Sequence, residues 1–410
     1  MPIIQSLLDV DFYKFTMGQL AFHRYPKIQV RYGFKNRTKA VKLAKIINPC
    51  KLREELDWTR DNVRTDKSEL HYLRGTNEYQ DRMFEEDYLE FFRELQLPDY
   101  HLEVIDGNLV LEFAGPWPSV IYWETMALAI INELYYHALI KGMNRFNQDL
   151  VFAEGKMRLA EKIERLRAYP EITFSDFGTR RRFSFDWQDY VVGVLAQELP
   201  RQFLGTSNTY LAMKHALLPM GTEAHEMDMV YTGIFHGSDD EIRSSHQKVL
   251  EDWWAEYGWG LSIALSDTFG TDFFFRDMSR EQANAWKGIR QDSGDPIAIG
   301  EKAIAFYRSH GIDPMEKLIV FSDGLEVDKI IELYEHFKGR IRTTFGWGTN
   351  LTNDLGFKPL SIVIKIIEAN GHGTVKLSDN LAKAIGKPED IERFKRIFRY
   401  SGTDYTETKY

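Results

Sequence analysis

Cysteine is nearly absent: Cys50 is the only one among 410 residues. No internal disulfide can form, so a reducing compartment is the expected setting. Positive charge is also scarce. With 52 Lys and Arg against 61 Asp and Glu, the net charge is −9, which argues against nucleic acid or an anionic membrane face as partner. A long apolar run free of charge is missing too. The richest stretch, residues 120–139, contains Glu124 and Glu133 and reads as a buried helix rather than a membrane span. The opening MPIIQSLLDVDFYKF has no charged segment ahead of an apolar core. No signal peptide is therefore expected, and the cytoplasm is the expected location. Neither GxxxxGK[ST] nor a post-strand GxGxxG occurs, so any phosphate must be held by other means.

Aromatic residues make up 14% of the chain, enough for a sizeable core. The first segment, LLDVDFYKFTMGQLAFHRYP, predicts a helix apolar on two sides, buried by another part of the molecule or by a second subunit. QVRYGFKNR alternates at period two and predicts a strand. Residues 77–95 read as a helix, and HLEVIDGNLVLEFAG as a hairpin turning at Asp106-Gly107-Asn108. Residues 1–120 thus form an expected α+β domain, completed by about 360–410, where PLSIVIKIIEANGHGTVKLSDN reads as two returning strands.

From about residue 120 the pattern changes. Seven apolar runs end in polar clusters: ITFSDFG, FLGTSN, LLPMGTEAH, LSIALSD, GIRQDSGD, LIVFSDG and RTTFGWGT. Helical stretches separate most of them, one opening with Ser238 and Glu241 in capping-box positions and ending at Gly258. Such βα units predict a closed or nearly closed parallel barrel over 121–359, with an open doubly wound sheet as the alternative.

In a barrel, polar groups at the carboxyl ends of strands converge on one mouth. The expected set is Asp176, Arg180, Ser207, His225, Asp267, Arg290, Asp292, Asp323, Gly348 and Thr349. Any one could be a mere turn residue; all seven tips carrying such residues is the informative fact. Arg180 and Arg290 suit an anionic substrate, while Arg181 and Arg182 read as a solvated salt-bridge cluster. The loops at Asp323-Gly324 and Gly348-Thr349 offer backbone N–H groups for a phosphate. His225 follows Gly-Thr-Glu-Ala at a tip, where a carboxylate such as Asp267 could orient it as base or nucleophile. No second histidine lies at ligand spacing, so a metal at His225 is not expected.

The motifs LLDVDFYKFTM, FSDFGTR, FLGTSN, MGTEAHE, LSD, IRQDSGDP, FSDGL and FGWGTNL occur in this order over residues 6–380. In this the chain resembles the nicotinate phosphoribosyltransferases. The resemblance implies an α/β fold, the irregular barrel of type II phosphoribosyltransferases with an additional α+β domain, in a homodimer whose active site lies at the subunit interface. It implies joining of nicotinate to phosphoribosyl pyrophosphate with Mg²⁺, giving nicotinate mononucleotide and pyrophosphate, coupled to ATP through a phosphohistidine. By position, His225 would be phosphorylated and Asp267 would orient it. Phe177 would stack on one face of the pyridine, and Tyr13 of a neighbouring subunit on the other. Thr222 and Arg290 would lie near nicotinate, and Arg180 and Arg290 would handle carboxylate and phosphates. Asp292 and Asp323 would hold ribose hydroxyls, and Gly348 with Thr349 the 5′-phosphate.

Nicotinamide-using relatives carry an aspartate after Gly-Thr, where this chain has Ser207; this departure favours the acid over the amide. Three alternatives remain at this level: nicotinamide as substrate, a barrel lyase using Lys365 as a Schiff base, and a non-catalytic phosphate-binding protein.

Overall fold

A computed structural model describes residues 1–78 and 81–402. Its strands are β1 (Gln29–Asn36), β2 (Asn77–Glu78), β3 (Asp81–Arg82), β4 (Tyr100–Ile105), β5 (Asn108–Pro116), β6 (Phe174–Asp176) and β7 (Phe203–Thr206). They continue as β8 (Leu218–Pro219), β9 (Ile263–Leu265), β10 (Gly288–Gln291), β11 (Leu318–Phe321), β12 (Arg342–Trp347), β13 (Ile362–Ala369) and β14 (His372–Gly373).

One antiparallel sheet has the order β14-β13-β1-β5-β4. The β4–β5 hairpin turns through Asp106 and Gly107, both with positive φ (49° and 75°), the backbone that matches strand twist in a two-residue turn. The C-terminal β13 lies beside β1, so the last part of the chain does return to the first. Residues 77–95 are not one helix: β2 pairs with β3, and the helix spans only Glu86–Arg93. Residues 79–80 and 403–410 lie outside the described residues.

All seven apolar runs become strands of a single parallel sheet, ordered β8-β7-β6-β12-β11-β10-β9. The sheet curls as a half-barrel and its ladder does not close. β8 is two residues long and ends in Pro219, which has no N–H to donate to a further strand. The seam between β8 and β9 is bridged instead by side chains: Thr222 Oγ1 donates to Ile263 O at 3.4 Å, and Glu223 Oε1 accepts from Leu265 N at 3.3 Å.

The first helix, Tyr13–Arg24, is buried by its own chain through residues 13–21. A second subunit is not needed to cover it. Phe12 and Phe15 pack on Phe84, and Phe15 also on Phe92. Just before this helix the chain lies along the end of β7: Phe12 N donates to Ser207 O at 2.6 Å and Thr209 N to Val10 O at 3.0 Å. These bonds bring Asp11 and Tyr13 to the barrel mouth. No described helix is long and apolar enough to cross a membrane.

Candidate active site

The carboxyl ends of the barrel strands and the β1–β13 sheet enclose one cavity. Arg180, Ser207, His225, Arg290, Asp292 and Asp323 line it, as do Gly348 and Thr349. Phe177 faces it from the β6 tip and Tyr13 from the start of the chain. Tyr13 therefore reaches the cavity of its own chain, correcting the expectation that a neighbouring subunit supplies it. Two glycines allow these rings to approach. A Cβ on Gly346 would lie 2.3 Å from the Phe177 ring, and one on Gly221, where φ is +152°, would lie 3.2 Å from Tyr13 N.

Three expected residues do not line the cavity. Thr222 bridges the barrel seam. Asp176 is buried beneath the β6 tip, accepting from Thr206 Oγ1, Gln188 Nε2 and Gly178 N at 2.7–2.8 Å. Burial raises its pKa to about 6 despite these donors. Asp267 stands behind His225, with its Oδ1 buried and without a hydrogen-bond partner.

His225 is 3% exposed, and its ring is held at both nitrogens. Nδ1 is 3.0 Å from Thr268 Oγ1, which donates to Asp228 Oδ2 at 2.5 Å. Nε2 is 2.9 Å from Asp292 Oδ2 but 3.7 Å from Asp267 Oδ1. The nearer carboxylate is thus Asp292, a correction to the expected Asp267. Lys376 Nζ also lies 2.7 Å from Nε2. Burial, followed by the charge of Lys376, lowers the His225 pKa to about 4, so the ring is neutral near pH 7. Asp292 and Asp267 are both held below the usual carboxylate range: burial opposes their charge, but His225 and Lys376 outweigh it.

The arginines divide in an unexpected way. Arg180 lies over the Tyr13 ring at 5.9 Å and pairs with Asp11 at 3.4 Å and Glu124 at 3.5 Å. Arg290 NH1 donates to Glu223 O at 2.8 Å. Arg182 is not a solvated charge: it is 0% exposed and grips both Asp9 oxygens, at 2.6 and 2.8 Å, and Glu133 at 2.8 Å.

Sequence reasoning missed most of the cations here. Arg37, Lys365, Lys376 and Lys383 line the cavity from the antiparallel sheet and the segment after it. Lys365, a Schiff-base candidate by sequence, instead has its Nζ 3.0 Å from Glu124 Oε1, and burial lowers its pKa to about 8. Lys383 donates to Asp292 O at 3.0 Å and pairs with Asp323. A search of KLSDN for basic residues facing the tips would have found Lys376; no motif marks Lys383.

Two family models match the sequence. The nicotinate phosphoribosyltransferase (NAPRTase) family matches residues 172–402, and the NAPRTase N-terminal domain matches residues 8–132. The chain belongs to the nicotinate phosphoribosyltransferase family. It is an enzyme of that family, and crystal structures of similar proteins share its architecture. Nicotinate phosphoribosyltransferase from Vibrio cholerae is 34% identical with a TM-score of 0.86, covering 97% of this chain and 94% of its own. The Porphyromonas gingivalis enzyme is 32% identical with a TM-score of 0.85, covering 97% and 100%. A putative nicotinate phosphoribosyltransferase from Saccharomyces cerevisiae is 30% identical with a TM-score of 0.85, covering 98% and 99%.

Within this phosphoribosyltransferase the cavity has two chemically distinct ends. One holds the aromatic pair with Ser207, Asp11 and Arg180. The other holds His225, carboxylates and lysines, a charge pattern suited to polyphosphate oxygens and a cation.

Proposed function

We propose that the chain catalyses ATP-coupled synthesis of nicotinate mononucleotide and pyrophosphate from nicotinate and phosphoribosyl pyrophosphate, in NAD salvage from nicotinate. The observation that carries this reading is His225: a buried, neutral imidazole on the wall of an anion-binding cavity, with Asp292 and Lys376 against one ring nitrogen.

Tyr13 and Phe177 would clasp the pyridine ring, and Arg180 and Arg290 would attract its carboxylate. The ring nitrogen then bonds to the anomeric carbon as the bond to pyrophosphate breaks. That carbon gains positive character, so alignment and charge stabilisation matter more than a strong base. The neighbouring carboxylates Asp292 and Asp323 stabilise that character and would hold the ribose hydroxyls. Lys376, Lys383 and Arg37 would neutralise the departing pyrophosphate, and Gly348 with Thr349 would receive the 5′-phosphate. In the ATP half-reaction the terminal phosphoryl group passes to a ring nitrogen of His225, leaving ADP. The phosphorylated ring, carrying roughly two negative charges, would recruit Lys376 and the arginines before the second substrate binds.

The donor set fits Mg²⁺: Asp267 offers an unpartnered buried oxygen beside Asp292, and hard cations take oxygen ligands. Bound there, Mg²⁺ would supply charge neutralisation for the phosphates.

One observation favours a second reading, with nicotinamide as the ring substrate. Asp11 places a carboxylate next to Ser207, where an amide N–H could be accepted.

The test is incubation with phosphoribosyl pyrophosphate, Mg²⁺ and ATP plus either nicotinate or nicotinamide, with chromatography of the mononucleotides and ADP. Mononucleotide from nicotinate with labelled phosphate on His225 is expected. His225→Ala should lose ATP coupling and keep slow, ATP-independent synthesis. Product from nicotinamide alone would transfer the assignment to the second reading, and no product from either ring would refute both.

A further inference from the structure

Nε2 of His225 receives two incompatible demands. Lys376 is an ammonium that can only donate to it, and Asp292 is a carboxylate that can only accept from it. One nitrogen cannot serve both. Thr268 spends its own proton on Asp228, so its oxygen is free to accept from Nδ1–H. That tautomer leaves a lone pair on Nε2, directed at Lys376. Beside it, Asp267 Oδ1 is buried and has no hydrogen-bond partner, a costly arrangement for a charged group.

The ammonium of Lys376 is surrounded by these groups. Its Nζ is 2.7 Å from His225 Nε2, 3.7 Å from Asp267 Oδ2 and 3.9 Å from Asp292 Oδ2. One ligand atom each from His225, Asp267 and Asp292 lies within 4.8 Å of the others. Ligands about 2.0–2.2 Å from a tetrahedral metal stand roughly 3.3–3.6 Å apart. The Nε2–Asp292 and Nε2–Asp267 separations of 2.9 and 3.7 Å bracket that spacing.

We propose that His225, Asp267 and Asp292 form a binding site for a borderline divalent metal such as Zn²⁺ or Co²⁺, which enters by displacing the Lys376 ammonium. A dication would take the Nε2 lone pair and one oxygen from each carboxylate, ending the conflict at Nε2 and giving Asp267 Oδ1 a partner. Mg²⁺ held by the same two carboxylates would complete its all-oxygen shell with substrate phosphates; in their absence the imidazole nitrogen favours the borderline metals. Lys376 is thus a built-in competitor that keeps His225 metal-free when such ions are scarce. A metal on Nε2 would also block phosphoryl transfer to that nitrogen. This last consequence rests on the phosphohistidine reading; the binding itself does not.

The test is titration of the full-length, chelator-treated protein with CoCl₂, without nucleotide, followed by the visible absorption of bound Co²⁺. One Co²⁺ per chain is expected, displaced by ZnCl₂ and not by a hundredfold excess of MgCl₂. Lys376→Met should tighten Co²⁺ at least ~10-fold, and Asp267→Asn should weaken it ~10–100-fold, as loss of a metal partner does. His225→Ala should abolish the absorption. If Lys376→Met does not fold, judged by circular dichroism, Lys376→Gln removes the same charge. Binding unchanged by removal of the lysine charge, or a spectrum that survives His225→Ala, would overturn the proposal. Metal binding without any phosphoenzyme would sink the phosphohistidine reading and leave the metal site standing.

Discussion

Ser207 Oγ donates a 2.7 Å hydrogen bond to Asp11 Oδ1. The ring-substituent end of the cavity therefore contains a carboxylate, one hydrogen bond behind the serine. Under the proposed reaction, a preference for the acid would not come from a mere lack of negative charge there. It would come from Arg180, which pairs with Asp11, and from Arg290 across the cavity. Ser207→Asp would set a second carboxylate against Asp11. We expect kcat/KM for nicotinate to fall at least ~100-fold, about 2.7 kcal/mol of transition-state binding. The nicotinamide-to-nicotinate ratio should rise. Competition between the two substrates measures it, and an unchanged ratio refutes this role for Ser207.

Tyr13 and His225 line the same cavity within one chain. Mixing Tyr13→Ala and His225→Ala chains, each lacking ATP-coupled activity, should accordingly restore none of it. A site shared between subunits would instead regain a sizeable fraction of it on mixing. Assay after co-refolding or co-expression separates the two outcomes.

Arg182, Asp9 and Glu133 form an ion cluster out of reach of solvent. Removing the arginine strands two carboxylates in the interior. Arg182→Met should cost about 3–5 kcal/mol in urea unfolding. Glu133 already has a pKa raised to about 7 by burial, with Arg182 opposing that rise. Stability of the variant should therefore improve as pH falls toward neutrality, where Glu133 can take up a proton. Unfolding measured at several pH values tests the direction.

The folded pKa of His225 is about 4, below its ordinary 6.5. Between these values the unfolded ring binds a proton and the folded ring does not, so His225 makes stability decline as pH drops through that window. Function should behave differently. The imidazole stays neutral as pH falls through 6.5, and phosphoenzyme formation should remain nearly flat down to about pH 5. A loss of phosphoenzyme with a midpoint near 6.5 would contradict the buried, neutral ring.

The order of apolar runs and polar tips determined much of this protein. Seven runs became seven parallel strands because each is β-rich, short and punctuated, and strand direction alone sends their tips to one side. His225, Arg290, Asp292 and Asp323 were legible for that reason. The antiparallel sheet followed from period-two alternation in β1 and the Asp106-Gly107 turn. Local pattern says nothing about partners distant in sequence, and there the tertiary structure decided. It brought Lys376 to His225 across 151 residues, and Asp11 to Ser207 across 196. It buried Arg182, whose neighbours in sequence look like a solvated cluster, because Asp9 and Glu133 converge on it from two other elements. It also set Thr222 at the seam, where its hydroxyl reaches Ile263 O beyond the end of β8 at Pro219. Hydrogen bonds and charge pairing act through space, and only folding determines which residues share that space.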